Sequence, residues 1–527
     1  MMSKLLIIIL FSVIAQGQIL FPGRYDLSRS SSDDNTESGL QSNVVIEIKA
    51  QGDSAVWLGT GEGLSVLRDS TTIETFLTTN SIDTSETSRL PEGGTSGIAV
   101  SGNSVLISTA TVKENNPAGA GLNLTTNAGD SSVTWTYFEQ PKDSSSDTSF
   151  VWYGDTLRAF PITLEIGNVT YDIAVDDSYF WIASFYGGFR RLDRSNISAG
   201  WERVPLPEDD MSEFLCGDEY PDYKLNSQEP AQGGNRNHRV FSVIAYNDTV
   251  WVGTADGINK GIVYSDGCID WYHYSYPVSG ISGNWVVAMA KQSVGNQRKI
   301  WAVTLRADEE GEINGISYTP DDGLTWYSVE QLGGERGYNL FAHDSIVYVA
   351  SASGLWRSND GVNFAKYNPA VDDENDDEIL GNVVYSAMHD FREYYNEGTL
   401  WIGTCDGLAR NSDPNQSDYW HIYRTNIDPQ MVYAYPNPFS PNQVCQLDGE
   451  GFVKFHTNIK RSNLIKINIF NFAMEKVRSF DYWKGKGEGT LKWDGRDNAG
   501  NIVANGPYFC NIFYDNEDHW VKVAVLK

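Results

Sequence analysis

The side chains that most often carry out chemistry are present in this 527-residue sequence, but not at the spacing of a catalytic or metal-binding motif. The seven histidines are far apart and none belongs to an H-E-x-x-H pair, so no catalytic zinc ion is predicted. No G-x-S-x-G sequence occurs, so a nucleophilic serine of that kind is not expected either. The histidines are His238, His273, His343, His389, His421, His456 and His519.

Carboxylates are the one plentiful reactive group, with 69 acidic against 39 basic residues and a formal net charge of −30. Two carboxylates facing one cleft could hydrolyse a glycosidic bond, but the sequence does not say which two converge. The acidic run at 372–378 lacks the glycine-punctuated spacing of a Ca²⁺ loop, so we expect a solvated run and no metal site. The glycine-rich stretch at 59–63 precedes no helical pattern, so no nucleotide or other cofactor is predicted. A surface this acidic repels phosphate groups, which argues against nucleic acid as a partner.

The five cysteines show no C-x-x-C spacing, which argues against a zinc or redox motif. Cys445 and Cys510 lie in the same C-terminal region and could pair in an oxidising compartment. The odd number leaves at least one thiol free or bonded to another chain. The other three are Cys216, Cys268 and Cys405.

The N-terminus has the pattern of a secretory signal peptide at 1–17. Lys4 precedes an apolar run at 5–14, and a small-x-small cleavage sequence follows at 15–17. We expect a flexible segment at 18–39. No later apolar run approaches the roughly 18 residues of a membrane-spanning helix, so no transmembrane helix is predicted.

A strand phrase with an aromatic second residue recurs through the middle of the chain. Its clearest copies are V-W-L-G-T at 56–60, V-W-V-G-T at 250–254 and L-W-I-G-T at 400–404. Looser copies start at 180, 300 and 347, and a copy without the aromatic starts at 105. Spacings near 50 residues are typical of four-stranded propeller blades.

The repeats predict a propeller of about seven blades over 40–430, with six or eight left open. Insertions are expected near 139–166 and 208–237, where the spacing widens. An alternating segment before each copy, such as V-V-I-E-I at 44–48, is predicted to be the innermost strand. The phrase itself is predicted to be the next strand outward, with its first glycine and its threonine permitting a tight turn.

A second pattern resembles the Asp-box turn of sialidase-like propellers. It has the form S-x-D-x-G-x-x-W, and its clearest copy lies at 317–326, with partial copies near 358, 265 and 126. The resemblance implies that the box is a structural turn, because in the enzymes that carry it the box lies far from the catalytic centre. The W-I-G-T phrase also resembles the repeats of periplasmic two-component-regulator sensor propellers. The box residues are Ser317, Asp321, Gly323 and Trp326.

The last part of the chain, 431–527, resembles the flagellar-hook-cap-type immunoglobulin-like domain, which overlaps the C-terminal sorting domains of type IX secretion cargo. The resemblance rests on a Y-P-N-P-F opening, a W-D-G-x-D-x-x-G turn, a G-x-Y-F strand start and a lysine-rich final strand. The residues concerned are Tyr435, Pro436, Asn437, Pro438, Phe439, Trp493, Asp494, Gly495, Asp497, Gly500, Gly506, Tyr508 and Lys527.

Together these patterns predict an all-β protein: a seven-bladed β-propeller followed by a C-terminal immunoglobulin-like β-sandwich. The resemblance implies export by the type IX secretion machinery to the surface or medium of a Gram-negative bacterium. We expect a non-enzymatic scaffold whose blade-top loops and two insertions bind an extracellular glycan or protein. The alternative is an Asp-box glycoside hydrolase acting on extracellular polysaccharide.

Overall fold

The computed structural model describes residues 36–69, 72–76, 78–79, 90–130, 133–367, 370–372, 377–379, 383–392, 398–415, 420–425, 432–435, 437–441, 443–444, 447–448, 451–457, 463–484 and 491–527. The predicted signal peptide and residues 18–35 of the predicted flexible segment lie outside these ranges. Within them, regular structure consists of β-strands and a few 3₁₀ turns. No helix in the described residues is long and apolar enough to cross a membrane.

The first four blades take up residues 36–274. Blade 1 contains β1 (Thr36–Ser38), β2 (Val45–Gln51), β3 (Ala55–Thr60), β4 (Leu64–Leu67) and β5 (Ile73–Phe76), followed by the parallel pair β6 (Thr78–Thr79) and β7 (Leu90–Pro91). Blade 2 contains β8 (Gly94–Ser101), β9 (Ser104–Lys113), β10 (Asn116–Thr125) and β11 (Thr136–Phe138), followed by the hairpin of β12 (Ser149–Trp152) and β13 (Asp155–Ala159). Blade 3 contains β14 (Thr170–Val175), β15 (Tyr179–Ser184), β16 (Gly188–Asp193) and β17 (Glu202–Arg203). After β18 (Glu213–Phe214) and β19 (Lys224–Leu225), blade 4 contains β20 (Val240–Tyr246), β21 (Thr249–Thr254), β22 (Gly257–Val263) and β23 (Ile269–Tyr274).

The remaining three blades take up residues 285–423. Blade 5 contains β24 (Trp285–Val294), β25 (Gln297–Leu305), β26 (Gly315–Thr319) and β27 (Tyr327–Ser328). Blade 6 contains β28 (Gly337–His343), β29 (Ile346–Ser351), β30 (Gly354–Ser358) and β31 (Phe364–Lys366), followed by the pair β32 (Val371–Asp372) and β33 (Asp377–Glu378). Blade 7 contains β34 (Val384–Asp390), β35 (Thr399–Thr404), β36 (Leu408–Asn411) and β37 (Trp420–Tyr423). The 3₁₀ turns are Ile197–Ala199, Pro230–Gln232, Arg236–His238 and Glu330–Leu332.

These seven sheets are arranged as a closed ring of blades. Each contains a four-stranded antiparallel meander whose first strand is innermost, and these innermost strands are β2, β8, β14, β20, β24, β28 and β34. In blade 1, β1 adds a fifth strand outside β5, and in blade 4, β18 does the same outside β23. The innermost strands contact one another in sequence order, and β34 of blade 7 contacts β2 of blade 1. The predicted all-β propeller of seven blades is confirmed, and its first sheet begins at residue 36, before the boundary expected at residue 40.

The recurrent tryptophan is explained by a repeated hydrogen bond inside the blades. Trp57, Trp181, Trp251, Trp301 and Trp401 are all fully buried between sheets. The indole N–H of each donates to a polar side chain at or near the end of the innermost strand of the same blade, at 2.7–3.1 Å. The side chain therefore fills the space between blades without leaving its only polar group unpaired.

The first glycine of the phrase has a different role from the one predicted. Gly253 lies within β21, and a Cβ atom there would lie 2.5 Å from the carbonyl oxygen of Val286 on the innermost strand of the next blade. The assignment of this glycine to a turn is therefore wrong: it permits close approach of neighbouring blades. The turn is made by Thr254, whose hydroxyl donates to the Gly257 carbonyl at 3.1 Å, and by Gly257 itself, whose φ is +117°.

The C-terminal region forms a separate β-sandwich. Its strands are β38 (Tyr433–Tyr435), β39 (Gln443–Val444), β40 (Leu447–Asp448), β41 (Val453–His456), β42 (Asn463–Phe470), β43 (Lys476–Lys484), β44 (Leu491–Trp493), β45 (Gly506–Tyr514) and β46 (Glu517–Val525). One sheet has the order β38-β41-β44 and the other β43-β42-β45-β46, and the two enclose one hydrophobic core. The predicted immunoglobulin-like sandwich is confirmed.

The sandwich also contacts the propeller. Lys454, only 2% exposed, donates to the carboxylate of Asp406 in the loop between β35 and β36. Arg424 bonds the same carboxylate at 3.2 Å. These charges pair across the boundary of blade 7 and the C-terminal domain.

Candidate functional site

Seven equivalent β-bulges shape the central channel. Near its start, each innermost strand has one residue that interrupts the pairing with the second strand. All seven of these residues line a cavity of about 100 Å³ on the propeller axis, which is room for several water molecules. We call them the collar. They are Ile46, Ser96, Tyr171, Phe241, Val287, Tyr338 and Tyr385.

The collar is largely aromatic. Tyr171 and Phe241 have ring centroids 6.4 Å apart, and Tyr338 meets Tyr385 edge-on at 5.6 Å. Phe241 and Tyr385 are each only 2% exposed, whereas Tyr171 and Tyr338 are half-buried. Because the bulges lie where the innermost strands begin, the collar surrounds the mouth of the channel on that face, which we call the upper face.

A charged network crosses the channel between non-adjacent blades. Lys49 Nζ lies 3.0 Å from Glu47 Oε1 on the same strand, and Asn339 Nδ2 of blade 6 donates to Glu47 Oε2 at 3.0 Å. Asp172 of blade 3 also lines this cavity. Burial disfavours the ammonium of Lys49, but attraction to Glu47 and Asp172 outweighs it and raises the pKa of Lys49.

Asp172 is placed by backbone hydrogen bonds. Its Oδ1 accepts the N–H of Ile173 at 2.8 Å, and its Oδ2 accepts the N–H of Val243 in blade 4 at 2.9 Å. Burial raises the pKa of Asp172 to about 6 against the attraction of Lys49, and the negative charge of Glu47 adds to the rise. The carboxylate therefore joins blades 3 and 4, and the nearby positive charge only partly balances its negative charge.

The two predicted insertions fold together into one unit. We call 139–166 with 208–237 the insertion module. Its hairpin strand β13 pairs in parallel with β19, so that Arg158 lies opposite Lys224. The buried pair of Arg190 and Asp143, at 2.8 Å, fastens the first insertion to blade 3.

The module lies along the outer edge of blades 3 and 4 rather than over the upper face. Both insertions leave from links between blades, but Cys216 forms a disulfide with Cys268 in the turn between β22 and β23, on the opposite, lower face. The Tyr153 hydroxyl at the tip of the hairpin donates to the Asp266 carbonyl in the same turn at 2.7 Å. Aromatic residues of the module share a core with both blades, which is why it extends over this edge.

Arg191 of blade 3 holds the hairpin in place. Its guanidinium lies 5.1 Å from the Trp152 ring and 4.6 Å from the Tyr179 ring, and it donates to the Gly267 carbonyl and to Glu202. Such a cation between aromatic faces fixes the orientation of the module against the blade.

A cavity of about 170 Å³ opens between the two halves of the module. Phe214 and Tyr220 stack at 4.2 Å in its wall. Burial, together with nearby carboxylates that include Asp218, raises the pKa of Tyr220. Among the described residues, none that lines this cavity is basic, so it suits a neutral or cationic ligand. Its side-chain walls are Trp152, Tyr153, Asp155, Leu157, Phe214, Leu215, Asp218, Glu219 and Tyr220.

The box residues lie in a turn on the lower face, away from the channel mouth. The Asp321 carboxylate accepts the N–H of Thr325 at 2.8 Å and the hydroxyl of Thr319 at 2.9 Å, and Gly323 has a φ of +98°. Trp326, 6% exposed, packs edge-on against Trp251 of the preceding blade at 6.0 Å. The neighbouring Ser317 hydroxyl accepts the N–H of Ser282 at 3.0 Å. The geometry is that of a packed structural turn.

Several of the predicted sorting-domain residues converge in the C-terminal sandwich. Phe439, Trp493 and Tyr508 form one aromatic cluster, with ring centroids 5.5–5.6 Å apart. A Cβ at Gly495 would lie 2.6 Å from Pro441, so the turn packs against the opening segment.

The opening segment also binds the final strand β46. Asn437 Nδ2 donates to the Lys522 carbonyl at 2.7 Å, and its Oδ1 accepts the Ala524 N–H at 2.8 Å. The N–H of Lys527 donates to Asn505 at 2.9 Å.

The other motif residues form turns or lie apart. Asp497 caps its turn by accepting the N–H groups of Ala499 and Asn501 at 2.8 and 2.9 Å, and Gly500 has a φ of +85°. Asp494 accepts the N–H of Arg496 at 3.1 Å. Of the remaining motif positions, Gly506 has a φ of +144°, Pro438 is exposed, Tyr435 is described only as part of β38, and Pro436 lies outside the described residues.

The suggested pairing of Cys445 with Cys510 is wrong. Cys510 is a free thiol buried in the core of the sandwich, and burial raises its pKa. Cys405 is in a disulfide, as are Cys216 and Cys268. No group of histidine, cysteine and acidic side chains suited to a metal ion occurs in the residues that the structure describes.

The channel residues were not identified from the sequence, although a signal was present. Glu47 lies in the alternating segment predicted to be an innermost strand, and Asp172 lies nine residues before Trp181. A charged side chain in an otherwise apolar innermost strand faces the axis. Aligning the innermost strands on the repeat would have brought these residues together.

No family model and no curated protein matches the chain. Among solved structures it is similar to PorZ, a surface component of the type-IX secretion system of Porphyromonas gingivalis, at 15% identity over 92% of this chain and 66% of that one, with a TM-score of 0.32. It is also similar to the extracellular domain of a putative one-component system of B. thetaiotaomicron, at 12% identity over 92% and 69% of the two chains, with a TM-score of 0.28. An ancestral GH74 enzyme is similar at 13% identity over 91% and 64%, with a TM-score of 0.28. The chain thus spans just under two thirds of the length of PorZ, and at TM-scores below 0.5 none of these likenesses bears on what it does.

Proposed function

We propose that this chain is a secreted or cell-surface binding protein, without enzymatic activity, whose insertion module binds an extracellular glycan. The observation that carries the proposal is that two insertions far apart in sequence join into one module with its own cavity, which a disulfide fastens to blade 4. The module elaborates blades 3 and 4 alone and is not needed to close the ring. Elaborations of this kind on a rigid scaffold are where recognition is usually found.

The chemistry of the cavity favours a sugar without an acidic group. Aromatic rings in the wall offer apolar surface to a sugar ring. Carboxylates of Asp155, Asp218 and Glu219 accept hydrogen bonds from hydroxyl groups. Sialic acids and uronates would be repelled, because the charged side chains that the structure places in the cavity wall are all acidic.

The alternative, a glycoside hydrolase, is favoured by the presence of Glu47 and Asp172 in one channel. Against it, Glu47 is paired with Lys49 and accepts a hydrogen bond from Asn339, which leaves Asp172, among the described residues, as the one acidic side chain lining this cavity that no other side chain engages. A hydrolase requires an acid and a base free to reach the substrate. Hydrolysis of polysaccharide by the wild type, lost in both Glu47→Gln and Asp172→Asn, would favour the enzyme and contradict our proposal.

Export by the type IX secretion machinery is the second part of the proposal. It is supported by the resemblance of the C-terminal domain and by the contacts of Asn437 and Phe439 with the terminal strand. The disulfide of Cys216 and Cys268 is consistent with an oxidising compartment outside the cytoplasm.

A glycan array tests the binding function directly. We expect the purified chain to bind neutral or amino-sugar glycans, and the Asp218→Asn/Glu219→Gln variant to lose at least about tenfold in affinity, as expected for lost charge-assisted hydrogen bonds. Asp222→Asn is the matched control, because this exposed acid lies on the same segment but does not line the cavity. Retained binding by the double variant, or specific binding of sialylated or uronate glycans, would contradict the proposal.

Cell fractionation tests the export step separately. In a bacterium with type IX secretion, the full chain should reach the surface or medium, whereas a chain ending at Thr425 should remain in the periplasm. Equal localisation of the two would remove the sorting role and leave the glycan proposal to be judged by the array.

A further inference from the structure

The central channel carries an excess of negative charge that its own side chains do not balance. Among the residues that line the cavity, Glu47 and Asp172 are acidic and Lys49 alone is basic. Lys49 lies against Glu47, at 3.0 Å. Asp172 has no cation within salt-bridge distance among the described residues and is held by backbone N–H groups.

The carboxylate of Asp172 can still accept further bonds. Each of its oxygens receives one backbone N–H, and a carboxylate oxygen has a second acceptor position. On blade 2, one of its two neighbouring blades, the cavity is lined by the small side chain of Ser96. Asp172 itself lines the cavity, so a ligand in the cavity can reach its carboxylate.

The collar adds a second feature that suits a cation. Tyr171, Phe241, Tyr338 and Tyr385 surround the mouth above the charged network. Aromatic faces attract ammonium and guanidinium groups, and most strongly where water is partly excluded. A cation that enters through the collar would therefore meet favourable groups first at the rings and then at the carboxylate.

We propose that the channel mouth binds a guanidinium or primary ammonium group, which passes the aromatic collar and pairs with Asp172. The site is distinct from the insertion module and does not depend on glycan binding there. The cavity volume of about 100 Å³ limits the ligand to a small cationic chain, such as an alkylguanidine or the side chain of an arginine or lysine in a peptide.

Binding at this site is expected to depend on pH through Asp172. The charged groups that face it are Lys49 and Glu47 of β2; the residues contributed to the cavity by β8, β20, β24, β28 and β34 carry no charge. Asp172, with a pKa raised to about 6, is only about one tenth ionised at pH 5 and almost fully ionised at pH 7.5. A ligand that pairs with the ionised form should bind about tenfold more weakly at pH 5 than at pH 7.5.

Calorimetric titration of the full chain with butylguanidinium tests the proposal, with neutral butylurea as the isosteric control ligand. We expect butylguanidinium to bind about tenfold more tightly at pH 7.5 than at pH 5, and butylurea to show no comparable binding. Asp172→Asn should remove both the binding and its pH dependence. Lys49→Met should tighten binding, because it removes the competing ammonium, and a variant that binds better cannot be explained by misfolding.

Asp177→Asn is the matched control, an exposed acid in the hairpin after the same strand as Asp172 and outside the cavity. It should bind like the wild type. Equal affinity for butylurea, binding retained in Asp172→Asn, or absence of binding in the wild type would each overturn the proposal. A capped Gly-Arg-Gly peptide distinguishes the sources: binding as tight as that of butylguanidinium points to a peptide side chain, and exclusion of the peptide points to a small amine.

Discussion

The glycines of the repeat provide a graded test of how the blades pack. At Gly253 and Gly403 a Cβ atom would lie 2.5 Å from a backbone carbonyl oxygen of the next blade, and 2.3 and 2.6 Å, respectively, from a serine Oγ of the same blade. At Gly59 the nearest atom is a carbonyl oxygen of the next blade, 3.0 Å away. None of the three has a positive φ, so alanine introduces no backbone strain of its own.

The expected magnitudes follow from these distances. Alanine gains about 0.4–1 kcal/mol by restricting the unfolded chain. At Gly253 and Gly403 this gain is outweighed, because backbone must move by roughly 1 Å and overpacking of this kind costs about 1–3 kcal/mol or more. At Gly59 a displacement of a few tenths of an ångström suffices. We therefore expect Gly253→Ala and Gly403→Ala to lower the free energy of unfolding by about 2 kcal/mol, and Gly59→Ala by less than about 1 kcal/mol.

Urea unfolding followed by tryptophan fluorescence measures this order, since the buried tryptophans report on the blades. Gly102→Ala is a useful reference, because that glycine has a φ of +57° but no atom within 4 Å of a Cβ. It isolates the cost of backbone conformation from that of blade contact. If Gly59→Ala destabilised the protein as much as Gly253→Ala, or if all three variants were neutral, the close-approach explanation would be refuted.

Three further predictions follow from single contacts. The pKa of Asp172 is raised to about 6, so the stability that its protonated form contributes is present below about pH 4 and is lost as the pH rises through 6. Between pH 4 and pH 7 the free energy of unfolding of the wild type should therefore fall by about 1–3 kcal/mol relative to that of Asp172→Asn, as measured by urea titration at each pH. A difference between the two proteins that does not change with pH would contradict this. Replacing Cys216 and Cys268 by alanine releases a 52-residue loop and should lower the free energy of unfolding by up to about 4 kcal/mol. The insertion module should then become the first site of proteolysis. An unchanged cleavage pattern would show that the module does not depend on the disulfide. Trp401→Phe removes an indole hydrogen bond to a buried carboxylate, whereas the indole of Trp271 has no partner among the described residues. We therefore expect Trp401→Phe to lower the free energy of unfolding by about 1–2 kcal/mol more than Trp271→Phe does. Equal shifts of the melting temperature would contradict the role of that bond.

The blades could be predicted because the same short strand sequence recurs in them. The aromatic second residue marks a strand whose indole bond and packing are satisfied within its own blade and the next, so the pattern survives in sequence. The C-terminal sandwich was recognisable for a related reason, since Phe439, Trp493 and Tyr508 form one cluster.

The functional regions were harder to predict because they depend on contacts between distant segments. The pairing of β13 with β19 joins residues about 66 positions apart, and no local pattern encodes it. The bond of Cys216 to Cys268 links an insertion to a blade turn, and spacing alone does not determine connectivity. The glycine of the repeat was misassigned because its constraint comes from the next blade.

Hydrogen exchange of the full chain, with and without a glycan selected on the array, shows whether the insertion module is the recognition site. We expect the bound glycan to slow exchange in the hairpin Ser149–Ala159 and in 213–225, which contribute the walls of the module cavity. The upper collar and the C-terminal sandwich should be unaffected. Protection confined to the channel mouth, or to the sandwich, would contradict the assignment of recognition to the insertion module.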